Sequence, residues 1–256
     1  MRHFIILVLS LMFLASCAST VSIDSDTLYH YQIDEDATNQ SKLKKIVIAS
    51  VNYAQESPSY LRYEESRVDT VVANYLQENG YEVVTGNQFD TVWANAIDQH
   101  GDYYDRTTAS YRRDRFNQIL SDSLTELKDR YDIDGILFTD LITRKVNFSY
   151  KSPHYAAWDG VKRKPRLKGG NGVPRDYNWA KSFRVSSISL TLFRSDKKFL
   201  FNSVGGIEVI DNLNMKTGTP KATRNSNLFN DEDMLEEGIK IAFHPFIPML
   251  DYPVKK

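Results

Sequence analysis

Apolar positions along this chain alternate between strand-like and helix-like spacing. Lys44-Lys45 are followed by Ile46-Val47-Ile48-Ala49-Ser50-Val51, a β-branched run of the kind found in a strand buried on both faces. Ser57-Pro58 breaks the chain, and then Val68, Val71, Val72, Tyr75 and Leu76 fall at helical spacing up to Asn79-Gly80, a helix stop. Tyr81 to Val84 is short and β-prone, as the return strand of a β-α-β unit is. Phe89, Val92, Trp93, Ala96 and Ile97 predict a second helix, and Phe116, Ile119, Leu120, Leu124, Leu127 and Tyr131 a third. Residues 98–114 between them show no sustained period. Asp132 to Gly135 turns the chain into an Ile136 to Ile142 strand, which Val146, Phe148 and Tyr150 extend by alternating with polar neighbours. Phe183 to Phe193 and Phe199 to Ile210 read as a hairpin joined by the charged turn Arg194 to Lys198. Asp231 to Phe243 predicts a last helix, with acids in its first turn and Pro245 at its end.

The predicted order is strand, helix, strand, helix, helix, strand, strand, strand, helix. Crossover units come first and an antiparallel meander second, so the expected fold is α/β, a mixed sheet of about five strands with helices packed on it. The domain is expected over residues 44–250, with residues 151–182 inserted as a long loop.

The first 16 residues have a different pattern. Arg2 and His3 precede an apolar stretch of about a dozen residues, too short for a bilayer core that takes about 20 helical residues, and Ala15-Ser16 follow. A charged start, a short apolar run and small residues predict a cleaved secretory signal. Residues 17–43 are rich in Ser, Thr, Asp, Asn and Gln and read as a tether that, if flexible, spans on the order of 30 Å.

The inserted stretch combines charge with aromatic rings. It holds eight basic residues against Asp159 and Asp176, interleaved with Tyr155, Trp158, Tyr177 and Trp179, and contains Gly169-Gly170-Asn171-Gly172. Two readings stand at this point. Tyr155, Trp158, Lys162, Arg163, Lys164, Arg166 and Trp179 form a contact patch for an anionic or glycan partner, be it a protein, peptidoglycan or lipid headgroups, or the stretch is a solvated loop that packs its own aromatics on the sheet edge.

Composition narrows the classes. An apolar content of 41% supports a core, and a formal net charge of -1 indicates neither a nucleic-acid binder nor a polyanion mimic. No nucleophile elbow or phosphate loop is present, and His30, His100, His154 and His244 lack metal-ligand spacing. Asp132 and Asp134 imitate paired carboxylates, but a helix-to-strand turn explains them more simply. Neither an enzymatic activity nor a cofactor is expected. Cys17 is the single cysteine, so no internal disulfide can form.

Leu14-Ala15-Ser16-Cys17 resembles the lipobox of bacterial lipoproteins. The resemblance implies cleavage before Cys17, acylation of that cysteine with chains such as palmitate, and a membrane-held N-terminus. Ala18 after the cysteine, in place of the aspartate that retains lipoproteins in the inner membrane, implies the periplasmic face of the outer membrane. The Ile46 to Val51 strand, Asn79-Gly80-Tyr81-Glu82-Val83 and Tyr131 to Ile136 give the domain a resemblance to the lipoprotein fold group of the curli-secretion lipoprotein, the N-terminal domain of TolB and the penicillin-binding-protein activators. That group implies a non-catalytic module binding a partner in the envelope, an envelope protein or peptidoglycan, and the expected export argues against nucleic acid as the partner. The alternative is a structural subunit of an envelope or secretion assembly; a hydrolase is the remaining reading.

Overall fold

The computed structural model describes residues 30–53, 57–105, 107–108, 110–170, 172–216 and 220–249. The leader, Cys17 and the first part of the expected tether lie outside the described residues. Among the described residues, a six-stranded mixed sheet is ordered β1 (Tyr31–Ile33), β11 (Phe199–Val209), β10 (Phe183–Arg194), β6 (Gly135–Val146), β2 (Lys45–Ala49) and β3 (Glu82–Val84). β2 pairs in parallel with β3 and β6, whereas β6, β10, β11 and β1 pair antiparallel. The α/β mixed sheet expected from the pattern is therefore the fold observed.

Each helix follows from its apolar stripe. α2 (Ser59–Glu78) buries Val68, Val72 and Leu76, and α5 (Glu232–Phe243) buries Leu235, Ile239 and Phe243, all against Ile46, Ile48, Leu137, Ile188 and Leu190 of the sheet. Asp231 caps α5 by accepting from the Met234 N–H at 3.2 Å. On the other face, α3 (Gly86–His100) and α4 (Arg113–Tyr131) bring Phe89, Trp93, Phe116, Ile119 and Leu124 onto Val47, Ala49, Ile136 and Phe138. A two-stranded hairpin, β4 (Tyr104–Asp105) with β5 (Ser110–Tyr111), joins α3 to α4. With helices on both sides, β6 is buried at eight consecutive positions from Gly135.

Two expectations are corrected. Residues 30–43 are not tether: Tyr31–Ile33 pair with Phe201–Ser203, adding the sixth strand, and α1 (Glu35–Ser41) follows, capped by Asp34. Asp34 also pairs with Lys198 at 3.0 Å, and Ala37 is the buried residue of α1. A three-residue strand and a helix with one buried side chain leave no periodicity to read. Residues 151–182 are not all loop either. β7 (Ala156–Trp158) and β8 (Val161–Arg163) form a hairpin, and β9 (Arg166–Lys168) pairs with β12 (Asp211–Asn214), which pairs with β13 (Lys221–Arg224). Again each strand is too short for its alternation to register.

Three glycines allow these layers to close. A methyl group on Gly205 would fall on the carbonyl oxygen of Gly238 and lie 2.8 Å from the Ala242 nitrogen, so α5 crosses β11 at backbone contact. One residue on, a methyl group on Gly206 would point to the opposite face and lie 2.8 Å from the Trp158 carbonyl oxygen, where the β7–β8 hairpin packs. Neither neighbour is a flexible side chain that can swing away. Gly205→Ala is expected to lower stability by about 3 kcal/mol, the upper part of the overpacking range, read as a reduced denaturation midpoint with an unchanged slope.

Candidate functional site

The strands differ in length, and that difference makes a cleft. β2 stops at Ala49, level with Phe138, while β6 continues to Val146. From β2 the chain crosses to β3 by α2 on one face, then returns to β6 by α3 and α4 on the other. At the carboxyl end of β2 the helices diverge, and α/β sheets leave a ligand crevice at such a switch point. A cleft of about 560 Å³ opens there, within the size range of small-molecule sites.

Most of its lining residues are polar, and Ile48, Ala49, Ala73, Val83 and Val84 add apolar surface. Ser50 and Asn52 follow β2, Thr85, Gly86 and Asn87 follow β3, Thr139 comes from β6, and Arg62, Glu65, Ser66, Asp69 and Thr70 line one side from α2. The carboxylates are already engaged. Asp69 accepts from the Thr139 hydroxyl at 2.6 Å, and Ser50 donates to Asp90 of α3. Behind them, Asp140 is almost fully buried and accepts from the Tyr53 N–H at 2.9 Å, fixing the turn after β2. The Asn52 amide is 3.3 Å from Glu65 and 3.4 Å from Asp140.

Burial pushes the Asp69 carboxyl up to about 6, with the Thr139 hydrogen bond opposing and the charges of Glu65 and Asp90 adding. Pattern reading missed this site. Two signals were present: Asp69 falls between Val68 and Val71 on an apolar stripe, and Asp140 interrupts the apolar run Ile136 to Ile142. A polar residue at a core position implies a partner or a pocket.

The residues singled out in the insertion separate into two groups. Trp158 and Trp179 are buried in a third core with Phe148, Phe183, Val209 and Leu213. Trp158 donates its indole N–H to the Ser186 carbonyl at 3.2 Å, and Trp179 stacks on His154 with ring centroids 3.9 Å apart. Arg163 donates to the Ile207 carbonyl at 3.1 Å and pairs with Glu237 at 2.8 Å. Arg166 pairs with Glu208, which is 1% exposed, also accepts from the Phe229 N–H, and has its carboxyl pushed up by burial. These four side chains hold the insertion onto the domain. Tyr155, Lys162 and Lys164 instead lie outside that core, with the two ammonium groups 5.5 and 5.6 Å from the ring centroid.

Asp134 accepts from the Lys44 and Lys45 N–H groups, and Asp132 ends α4 in a left-handed conformation, so both serve the turn into β6. Among the described residues, no group of three His, Cys, Asp or Glu side chains is placed to hold a metal ion. No helix among them is long and apolar enough to cross a membrane. The chain matches no family model, no characterised protein and no solved structure.

Two measurements separate these roles. Arg166→Met leaves Glu208 buried without its cation and is expected to cost about 2 to 3 kcal/mol, less than a fully enclosed pair because Arg166 is one-third exposed. Lys164→Met is expected to stay within about 0.5 kcal/mol of wild type in the same denaturation assay. For Asp69, the folded carboxyl holds a proton that the unfolded one, at 3.8, has released. Stability from this group is therefore highest below pH 3.8 and falls as pH rises through about 6. Asp69→Asn is expected to gain on the order of 1 to 2 kcal/mol over wild type at pH 8, allowing for residual solvent screening, and to match it at pH 3.5.

Proposed function

We propose that this chain is a lipid-anchored protein of the bacterial envelope, held to the periplasmic face of the outer membrane through Cys17, and that its domain works by binding rather than by catalysis. The anchor rests on Leu14-Ala15-Ser16-Cys17 behind a short apolar leader. The observation that carries the binding reading is the cleft at the carboxyl ends of β2 and β3. It is roomy and carries many polar side chains, yet Asp69, Asp90 and Asp140 are each tied to a hydroxyl or amide of the fold. Such an arrangement offers hydrogen bonds to a ligand without an activated nucleophile.

The lining also selects a chemical class. Glu65, Asp69 and Asp90 face one guanidinium, Arg62, among hydroxyls from Ser50, Ser66, Thr70, Thr85 and Thr139. A small hydroxyl-bearing ligand, neutral or cationic, suits that balance better than an anion does. Binding of such a ligand, a soluble glycan fragment for instance, fits a regulatory module better than a subunit that only builds an assembly.

Mass spectrometry of the protein taken from membranes in mild detergent tests both halves. The expected chain begins at an acylated Cys17, and Cys17→Ala loses the acyl mass and leaves the membrane fraction. Native spectra are expected to show a bound small molecule that disappears in Ser66→Trp, a substitution at an exposed position of the cleft wall that leaves the melting profile unchanged. A wild-type chain with Cys17 unmodified overturns the anchor. Equal ligand content in wild type and Ser66→Trp overturns the cleft.

A further inference from the structure

The near-zero net charge of this chain conceals a separation of charge. Residues 144–184 and 211–224 hold 14 basic residues against three acidic ones, while the rest of the chain holds 18 basic and 30 acidic. The fold gathers these two segments at one end of the sheet: Phe183 pairs with Val146, β9 pairs with β12, and a shared core joins them. Two of the three acids are neutralised within the fold, Asp159 by Arg144 at 3.1 Å and Asp211 by Arg184 at 2.6 Å. Four of the lysines there, Lys145, Lys164, Lys168 and Lys181, are exposed and have no carboxylate within ion-pair distance among the described residues.

The course of the chain places this end relative to the N-terminus. β11 runs from the Arg194 to Lys198 turn toward the basic end, and β1 is antiparallel to it, with Tyr31 opposite Ser203 and Ile33 opposite Phe201. β1 therefore runs away from the basic end, and its upstream side faces that end. Between Cys17 and His30 lie 12 residues, which reach at most about 40 Å when extended. Apolar groups accompany the charge: Tyr150 is 68% exposed, Leu167 is 37% exposed, and the Lys162 and Lys164 ammonium groups both lie over the Tyr155 ring. Ammonium groups over a half-buried ring, with an exposed ring and aliphatic side chain on the same end of the domain, suit the boundary between headgroups and acyl chains.

We infer that the basic end of the domain is a docking face for anionic phospholipid headgroups in the leaflet that carries the anchor. The inference rests on the reading of the chain as tethered through Cys17. Charge complementarity selects a phosphate-rich surface. The entry of the chain from that side makes the anchoring membrane the nearest one. Docking brings the lysines within a screening length of about 8 Å from the headgroups, and because β2 runs parallel to β6, whose carboxyl end leads into the basic end, the cleft at the carboxyl end of β2 opens on the membrane side of the sheet.

The test uses the acylated full-length mature protein added to preformed vesicles of phosphatidylcholine, with or without phosphatidylglycerol. Exposed amines are modified with a membrane-impermeant reagent and quantified by peptide mass. With phosphatidylglycerol present, modification of Lys164, Lys168 and Lys181 is expected to fall by about threefold or more, while Lys128, Lys197 and Lys240 at other parts of the molecule are unchanged. The protection is expected to vanish at about 1 M salt, where the screening length is about 3 Å. The variant carrying Lys164→Glu, Lys168→Glu and Lys181→Glu, all at exposed positions, is expected to lose it as well. Equal modification in both vesicle types overturns the inference. Protection by isolated peptidoglycan but not by vesicles also overturns it, assigning the face to a wall polymer. The same digest reports the Cys17 peptide, so an unmodified cysteine sinks the tether separately, while the amine ratios still decide the docking face.

Discussion

The twelve-residue ladder between β6 and β10, unbroken from Gly135 opposite Arg194 to Val146 opposite Phe183, is the constraint from which both candidate surfaces arise. Its first half is the middle of a sheet with helices on both faces. Its second half runs past the ends of β2 and β3, where no parallel strand among the described residues pairs with it. Beside the overhang the sheet leaves a cleft, and at its tip the insertion folds back to cover what the helices do not reach. Had β6 stopped level with β2, the cleft would lack its Thr139 wall, and Trp158 and Trp179 would have no sheet to pack on.

Glycine at positions 205, 206 and 238 lets the neighbouring strand carry layers on both faces at once. α5 on one side and the β7–β8 hairpin on the other meet the backbone of β11 directly. Arg163 then ties the three together by donating to the Ile207 carbonyl and pairing with Glu237 of α5. Arg163 and Arg166 of the insertion thus face inward to acids of the domain, where a planar guanidinium with several donors can meet both carbonyl and carboxylate. The lysines, with compact and strongly hydrated charges, remain at the surface.

Most of the sheet and the four longer helices were legible because each repeats its period several times. Ile136 to Ile142 is apolar at all but Thr139 and Asp140, and Phe116 to Leu127 keeps helical spacing over three turns. Glu82–Val84 is as short but follows a helix stop directly, whereas Tyr31–Ile33, Ala156–Trp158 and Arg166–Lys168 have neither repeats nor such a neighbour and went unrecognised as strands. The insertion was legible in composition and ambiguous in role: counting its charges could not separate Arg166, paired with a buried glutamate, from Lys164, which faces solvent. The cleft was harder still. Its walls come from residues as far apart as Ser50 and Thr139, and only Asp69 and Asp140, polar residues within apolar patterns, pointed to it.

The pairing of β1 with β11 also bears on how the domain responds to mechanical load. Where the N-terminus is held in a membrane, a pull on the domain acts along the axis of β1 and back toward the basic end. All the cross-strand bonds between Tyr31–Ile33 and Phe201–Ser203 then share that force in shear, where a pull across the strand would open them one after another. A strand of only three residues, backed by the Asp34–Lys198 ion pair just beyond it, becomes the coupling through which tension from the anchor enters the sheet. It yields before the long ladder behind it does, lengthening the leash while the cleft stays folded.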